Sequence, residues 1–241
     1  MRFLLYNIRY GTGRRTRWAW LHMLGRTASH LPEIGRFIRE TDPDIAGLVE
    51  VDCGSYRSGR RNQAEVLAEE TGHYHSYRVK YSEDGGLGRW MPVLNQQANA
   101  FLTRDAIRRE TFHEFSSGFK RLVIELEMDA VNLFLVHLAL NFRTRHAQLS
   151  ELHDLIARST KPCIVAGDFN SFLGPREMRL FLKATGLTSA NVGHAPTYPS
   201  WQPRRELDFV CYSAGLVLRR FEMPAVTLSD HLPLVCDFEP A

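Results

Sequence analysis

Short apolar runs recur along the whole chain, and residues that favour turns separate them. Most of these runs are rich in β-branched and aromatic residues, a composition that is typical of β-strands. Only Asp129 and Ala130 separate two of the runs, and this spacing predicts a β-hairpin. The predicted strands cover residues 3–8, 45–51, 97–103, 121–128, 131–138, 163–168, 207–212, 216–221 and 232–238.

Other segments place apolar residues three and four positions apart, which is the spacing of an amphipathic helix. Gly72 and Gly186 are predicted to end two of these helices, and Pro175 suits the first turn of the last one. Thr144 is the predicted N-cap of the third helix, which extends to Ile156. The predicted helices cover residues 32–40, 62–71, the segment from Thr144 to Ile156, and residues 175–185.

The composition is that of an ordinary globular protein, with 44% hydrophobic and 24% charged residues in 241. Disordered and collagen-like chains differ strongly from these values and are excluded. No internal repeat and no linker rich in Pro, Gly or Ser divides the pattern, so residues 1–241 are predicted to form a single domain. The cations are mostly arginine, but the net charge of +3 by itself favours no class of partner.

The cysteines and the N-terminus indicate the cellular compartment. The four cysteines are scattered without a Cys-x-x-Cys pair, so we expect reduced, buried thiols. No apolar stretch approaches the roughly 18–20 residues of a membrane span. The short N-terminal run is followed by polar residues, unlike a secretory signal. We therefore expect a cytoplasmic, monomeric protein without a transmembrane segment.

Polar side chains interrupt or end several predicted strands, where an ordinary core strand would be apolar. A buried carboxylate is costly unless it is paired or bound to a metal ion, so this recurrence predicts a shared functional site. Carboxylate oxygens are ligands suited to Mg²⁺ or Mn²⁺, and histidine exchanges protons near neutral pH. The residues are Asn7, Glu50, His137, Asp168, Asn170, Asp208, Asp230 and His231.

The segments around these residues resemble one known superfamily. No Gly-x-Ser-x-Gly, Walker, Gly-x-Gly-x-x-Gly or His-Glu-x-x-His signature is present, which argues against a serine hydrolase, a kinase or a zinc peptidase. The ordered set YNIRYG, VEVD, VHLAL, GDFN, LDFV and SDHLPL resembles the endonuclease/exonuclease/phosphatase superfamily over residues 7–231. NQQANAFLTR, with Asn99, and RHAQ, with Arg145, resemble further segments of that family.

The resemblance implies a fold and a cofactor. The implied fold is α+β: a four-layer α/β/β/α sandwich of two mixed β-sheets flanked by helices. The implied site lies where the strand ends of the two sheets converge. The implied cofactor is Mg²⁺, for which Mn²⁺ can substitute, and Glu50 would bind it with support from Asn7 and Asp230.

The resemblance also implies roles for the remaining polar residues. Asp168 would orient or deprotonate the attacking water, and Asn170 would hold that water or the phosphate. Asp208 would orient His231, which would contact a non-bridging phosphate oxygen. His137 would contact the phosphoryl group and protect or protonate the leaving oxygen.

These roles predict a metal-dependent phosphoester hydrolase, and in the first place a nuclease-like phosphodiesterase with in-line attack of water. Asn99 and Arg145 are predicted to contact the substrate. We add Arg14, Arg15 and Trp18 from the irregular segment after the first strand. Cations and aromatic rings of this kind can grip a nucleic-acid backbone and stack on its bases.

Other substrates stay open at this point. The segment from Trp18 to Leu24 is also aromatic and apolar beside cations, as an interfacial lipid anchor would be. The stretch VDCGSYRSGRRNQAEVLAEETG resembles the lipid- and membrane-associated members of the family more than its repair nucleases. A sphingomyelinase-like phosphodiesterase and a small-molecule phosphatase are therefore alternatives, and the arginines could simply be solvated. The complete set of core residues argues against a non-enzymatic scaffold.

Overall fold

The computed structural model describes residues 1–13, 30–79 and 96–241. Three predicted substrate-binding residues, Arg14, Arg15 and Trp18, lie outside these described residues. None of the helices within the three described ranges is long and apolar enough to cross a membrane. The α-helices in these ranges are α1 (Leu31–Thr41), α2 (Gln63–Thr71), α3 (Phe142–Ile156) and α4 (Arg176–Thr185).

The strands of the described residues form two six-stranded sheets. They are β1 (Arg2–Asn7), β2 (Ile45–Asp52), β3 (Tyr74–Val79), β4 (Gln97–Thr103), β5 (Arg109–Glu114), β6 (Leu122–Glu127), β7 (Asn132–His137), β8 (Cys163–Asp168), β9 (Thr188–Ser189), β10 (Asp208–Tyr212), β11 (Leu216–Glu222) and β12 (Leu234–Pro240). The first sheet has the order β11-β12-β1-β2-β4-β3, and the second has the order β5-β6-β7-β8-β10-β9.

Both sheets are mixed, because each contains one parallel pair. β1 and β2 pair in parallel and are joined through α1, while β7 and β8 pair in parallel and are joined through α3. Helical crossovers of this kind are the usual connection between parallel neighbours. The carboxyl ends of the two strands in each pair therefore lie at the same edge of their sheet.

Alternation of side chains along the strands builds the layers. In β1, Phe3 and Leu5 belong to the core between the sheets, while Leu4 and Tyr6 pack beneath α1 and α2. The second sheet repeats this pattern beneath α3 and α4. The layers run helix, sheet, sheet, helix, which confirms the predicted four-layer α/β/β/α sandwich.

The sequence pattern misses β3, β5 and β9, and all three lie at a sheet edge. An edge strand is flanked on one side only and needs fewer apolar residues than a central strand. β5, with the sequence RETFHE, has no fully buried residue. Its apolar content is therefore too low for the pattern to identify it as a strand.

The predicted N-cap of α3 is wrong. The helix begins at Phe142, and Asn141 is its N-cap. The Asn141 side chain accepts hydrogen bonds from the backbone N–H groups of Arg143 and Thr144, at 3.0 and 3.3 Å. Thr144 lies inside the first turn, because an asparagine three residues earlier already satisfies the free N–H groups.

Candidate active site

Strand alternation brings several predicted site residues to one end of the inter-sheet core. Asn7 ends β1 and His137 ends β7, each on the face that carries inter-sheet core residues. Asp168 ends β8 beside His137 in the parallel register. Asp208 begins β10 and lies directly opposite Asp168 in the antiparallel register. These polar side chains of both sheets therefore meet at a single edge of the sandwich.

Glu50 reaches the same place through a β-bulge. The register between β2 and β4 shifts between Leu48 and Val51, and Glu50 has a positive φ of 58°. A bulge redirects a side chain relative to regular alternation. The Glu50 Oε1 atom lies 3.8 Å from His137 Nε2 on the other sheet.

Asp168 is the centre of the site. Its Oδ2 atom accepts a hydrogen bond from Asn7 Nδ2 at 3.2 Å. The same Oδ2 lies 3.5 Å from His137 Nε2 and 3.9 Å from His231 Nε2. Its Oδ1 accepts a bond from the Asn170 backbone N–H at 3.0 Å, while Asn170 Nδ2 donates to the carbonyl that follows His137. Residues from both sheets therefore converge on one buried carboxylate.

The surroundings of Asp168 make its ionised form costly. Burial, with the charge of Asp208 adding to it, raises the pKa of Asp168 to about 6, although the charges of His231 and Lys120 oppose the shift. A carboxyl group with a pKa close to neutrality can exchange a proton under ordinary conditions. Asp168 is thus suited to act as a base.

Asp208 holds His231 in a fixed orientation. His231 Nδ1 contacts Asp208 Oδ2 at 2.8 Å, and Thr197 Oγ1 donates to the same oxygen at 2.6 Å. The Tyr198 ring packs against the imidazole with centroids 4.9 Å apart. Burial by itself lowers the pKa of His231, but the neighbouring carboxylates, chiefly Asp208, outweigh it and raise the pKa to about 10. His231 is therefore a cation at neutral pH.

Lys120 is a site residue that the sequence pattern misses. It lies before β6, and its Nζ atom contacts His137 Nε2. An ammonium group can only donate, so His137 Nε2 accepts this bond. Lys120 belongs to no recognised motif, but it is one of few lysines in an arginine-rich chain. That rarity is the only signal in the sequence that could have identified it.

Asp230 lies beside the site and forms an ion pair with Arg9. Its Oδ2 atom is 3.3 Å from Arg9 Nε, in the segment that follows β1. Burial raises the pKa of Asp230, and the charge of Glu50 raises it further, while His231 and Arg9 oppose the shift. Glu50 and Asp230 are therefore near enough to repel each other.

A group of acidic and imidazole side chains could hold a metal ion. Asp168, Asp208 and His231 bring one atom each within 4.8 Å of one another, and His231 could be a ligand only as a neutral ring. The Oδ1 atom of Asp208 is buried and has no hydrogen-bond partner, so it can accept a ligand. The metal-binding set implied by the family resemblance is different and stays a prediction: Asn7, Glu50 and Asp230.

Two predicted substrate-binding residues are buried. Asn99 lies on β4 fully buried, and neither atom of its amide has a hydrogen-bond partner. Arg145 donates to Glu177 Oε2 at 2.8 Å and to the carbonyls of Ala139 and Leu140 at 3.0 and 2.8 Å. Arg145 therefore supports the chain that follows β7, and its contact with a substrate stays a prediction.

The fold is shared with solved structures of low sequence identity. An endonuclease/exonuclease/phosphatase from Beutenbergia cavernae DSM 12333 has a TM-score of 0.73 and 20% identity, over 99% of this chain and 71% of that chain. A mannosyl-6-phosphatase from Bacteroides thetaiotaomicron VPI-5482 has a TM-score of 0.72 and 15% identity, over 99% of both chains. At these identities the likeness concerns the fold alone.

Sequence comparison identifies a partial relative and a family. A UPF0294 protein from Klebsiella pneumoniae (strain 342) is 33% identical over 110 residues, which make up 46% of this chain and 41% of that protein. The match thus spans less than half of that relative. Residues 4–231 match the Endonuclease/Exonuclease/phosphatase family, a span that contains every described site residue. The chain belongs to the endonuclease/exonuclease/phosphatase family.

Proposed function

We propose that this chain is a Mg²⁺- or Mn²⁺-dependent phosphodiesterase in which an activated water attacks phosphorus in line. The observation that carries the proposal is the convergence of Asn7, His137 and His231 on Asp168 Oδ2, at 3.2, 3.5 and 3.9 Å. A buried carboxylate with a pKa of about 6 suits a base that orients water and takes its proton.

In this mechanism His231 stabilises negative charge on the phosphoryl group. Asp208 Oδ2 contacts the Nδ1 atom of His231 at 2.8 Å. The other ring nitrogen, Nε2, therefore lies on the side of Asp168. A fixed cation at this position can donate to a non-bridging oxygen as charge develops there. Asp208 acts through His231, by orienting its ring and by favouring its charged form.

Lys120 and His137 act as a pair at the leaving oxygen. The Lys120 ammonium contacts His137 Nε2, and its charge also bears on Asp168. The pair therefore places a cation and an exchangeable proton beside the base. We assign it the protonation of the leaving alkoxide, the role that the family resemblance implies for His137 alone.

The oxygen donors of the site fit a hard divalent cation. Glu50 and Asp230 repel each other. A cation bound between them would relieve this repulsion. We propose that Glu50 holds the ion with Asn7 and Asp230. When bound, the ion would polarise the phosphoryl group and stabilise its developing charge.

The charges of the site favour a diester over a monoester. The described site combines four carboxylates, and only His231, Lys120 and Arg9 oppose them as cations. A phosphodiester carries one negative charge, whereas a monoester carries close to two near neutral pH. Before the ion binds, the diester therefore meets less repulsion from the carboxylates; the bound ion would add two positive charges and reduce this difference. The four carboxylates are Glu50, Asp168, Asp208 and Asp230.

The test compares hydrolysis of bis-p-nitrophenyl phosphate and p-nitrophenyl phosphate with Mn²⁺ and with a chelator. We expect faster turnover of the diester and none in the chelator. Replacing Asp168→Asn keeps the size of the side chain but removes the base, so kcat should fall by about 10²–10⁴-fold.

The matched control is Asp154→Asn, an exposed carboxylate on α3 whose side chain is 65% accessible. It should leave kcat and the melting temperature unchanged. Full activity of the Asp168→Asn variant would contradict the proposal. So would unchanged turnover in the chelator, or faster turnover of the monoester.

A further inference from the structure

Large exposed apolar side chains are concentrated at the end of the sandwich that carries the site. Single exposed apolar residues are ordinary, but a group around one feature marks an interaction surface. Within the described ranges ten such side chains are exposed, and six of them lie at this end, in the loops of the second sheet or at the first residue of α3. We name these six the apolar rim: Phe119, Leu140, Phe142, Leu173, Val192 and Trp201.

Strand directions place the rim beside the site. β7 and β8 end in site residues, and the segments that follow them carry Leu140 and Leu173. β6 and β10 run antiparallel to these strands and so begin at the same end, after the segments that carry Phe119 and Trp201. Phe119 is also adjacent in the chain to Lys120. A surface that contacts the rim therefore approaches the end of the sandwich that carries the site.

The chemistry of the rim favours lipid over nucleic acid. Phe119 is 80% exposed, Val192 76%, Leu173 73% and Leu140 62%. Aromatic rings can stack on bases, but the three aliphatic side chains neither stack nor form hydrogen bonds. A nucleic acid would leave them in water, whereas acyl chains and the headgroup boundary would remove them from it.

Cations lie among the rim residues. Arg143 follows Phe142, and Arg204 and Arg205 come shortly after Trp201, all three exposed. Arg204 and Arg205 donate to neutral oxygens, a glutamine side chain at 2.8 Å and a backbone carbonyl at 2.7 Å. Their charge is therefore not neutralised by these partners. Apolar side chains interspersed with arginine are typical of surfaces that rest on anionic membranes.

We infer that the apolar rim docks this protein on an anionic phospholipid surface, with the site facing the headgroups. The inference rests on the proposed function and names its substrate class, the phosphodiester of a phospholipid headgroup. The apolar rim supplies the hydrophobic contact, and the three arginines supply attraction to lipid phosphates.

The experiment is co-sedimentation of the full chain, in a chelator, with vesicles of equal parts phosphatidylglycerol and phosphatidylcholine. We expect binding to these vesicles and weaker binding to pure phosphatidylcholine. The combined change Phe119→Ser and Leu173→Ser should weaken binding by about tenfold or more, because two large apolar contacts are lost. Both side chains are exposed, so the variant should keep the melting temperature of the wild type.

The matched control combines Tyr74→Ser and Leu180→Ser, which are 65% and 61% exposed but lie outside the apolar rim. Tyr74 pairs with Thr103 at the end of β4 that is remote from the site. This control should bind vesicles like the wild type.

Several results would overturn the inference. These are absence of wild-type binding, equal binding by the rim variant, and tighter binding to a single-stranded oligonucleotide than to the vesicles. The two proposals fail separately, because vesicle binding is measured without turnover. Vesicle binding without hydrolysis of bis-p-nitrophenyl phosphate would overturn the proposed function, and hydrolysis without vesicle binding would overturn the docking surface.

Discussion

The two histidines of the site lie less than 4 Å from the same oxygen of Asp168, yet each ring has a second partner of a different charge. His231 has a carboxylate at Nδ1, that of Asp208, and its pKa is raised to about 10. His137 has a lysine ammonium at Nε2. One ring is therefore held by a carboxylate at Nδ1, which favours its charged form, and the other contacts an ammonium group at Nε2.

This difference teaches that a motif does not assign a protonation state. Both histidines come from recognisable segments, VHLAL and SDHLPL, and both were expected to contact the phosphoryl group. The partner of each ring decides which of its nitrogens can donate. Beside His137 the basic partner is Lys120, and the proposed mechanism assigns the charge at the leaving oxygen to this lysine.

The comparison with the largest expected effect replaces each of the two histidines by glutamine, in two separate variants. Glutamine is neutral, but its amide oxygen can still accept a bond. His231→Gln removes a cation from the phosphoryl site, so kcat should fall by about 10³-fold. His137→Gln keeps an acceptor for Lys120, so kcat should fall by only about tenfold.

The measurement is kcat for bis-p-nitrophenyl phosphate in Mn²⁺, with circular dichroism to confirm that both variants are folded. Equal losses in the two variants would remove the distinction between the rings. A larger loss for His137→Gln would reverse it.

The central strands could be predicted from the sequence, because buried strands carry continuous apolar runs, whereas the four-layer fold followed from the family resemblance. β4 and β8 have the predicted bounds of residues 97–103 and 163–168. The edge strands β3 and β5 could not be predicted in this way. Each of these strands pairs with one neighbouring strand and faces the solvent on its other side, so its composition differs little from that of a loop.

Part of the site could also be predicted from the apolar strands, because polar residues interrupt or end them. Asn7, His137 and Asp168 stand out because each is a polar residue at the end of an apolar strand. The orientation of Glu50 depends on a bulge with a φ of 58°, which alternation cannot indicate. Lys120 lies in a loop where lysine is unremarkable, and only the folded chain shows that its Nζ contacts His137.

Lys120→Met tests whether the lysine beside His137 contributes to catalysis. The expected loss of kcat is smaller than for His231→Gln. Methionine keeps the apolar stem but removes the ammonium, so the site loses one cation beside Asp168. We expect kcat for bis-p-nitrophenyl phosphate to fall by about 10²-fold. The control is Lys183→Met, an exposed lysine on α4, which should behave like the wild type. An active Lys120→Met variant would place the catalytic proton on His137 instead.

Asp208→Asn should have the smallest effect near neutral pH and the most specific pH dependence. Asparagine can still accept the bond from His231 Nδ1, but it carries no charge. The Asp208 charge raises the pKa of His231, so its removal lowers that pKa. Because the proposed mechanism needs the protonated ring, activity should be lost at lower pH than in the wild type.

We expect the alkaline limb of the kcat profile to move down by roughly 1–3 pH units, while the rate near pH 6 changes little. Asp237→Asn provides the control, since Asp237 pairs with Arg2 at 2.8 Å on the first sheet and should not move the limb. A uniform loss of rate at all pH values would mean that Asp208 only orients the ring. An unchanged profile would mean that the charge of His231 depends on the other carboxylates of the site.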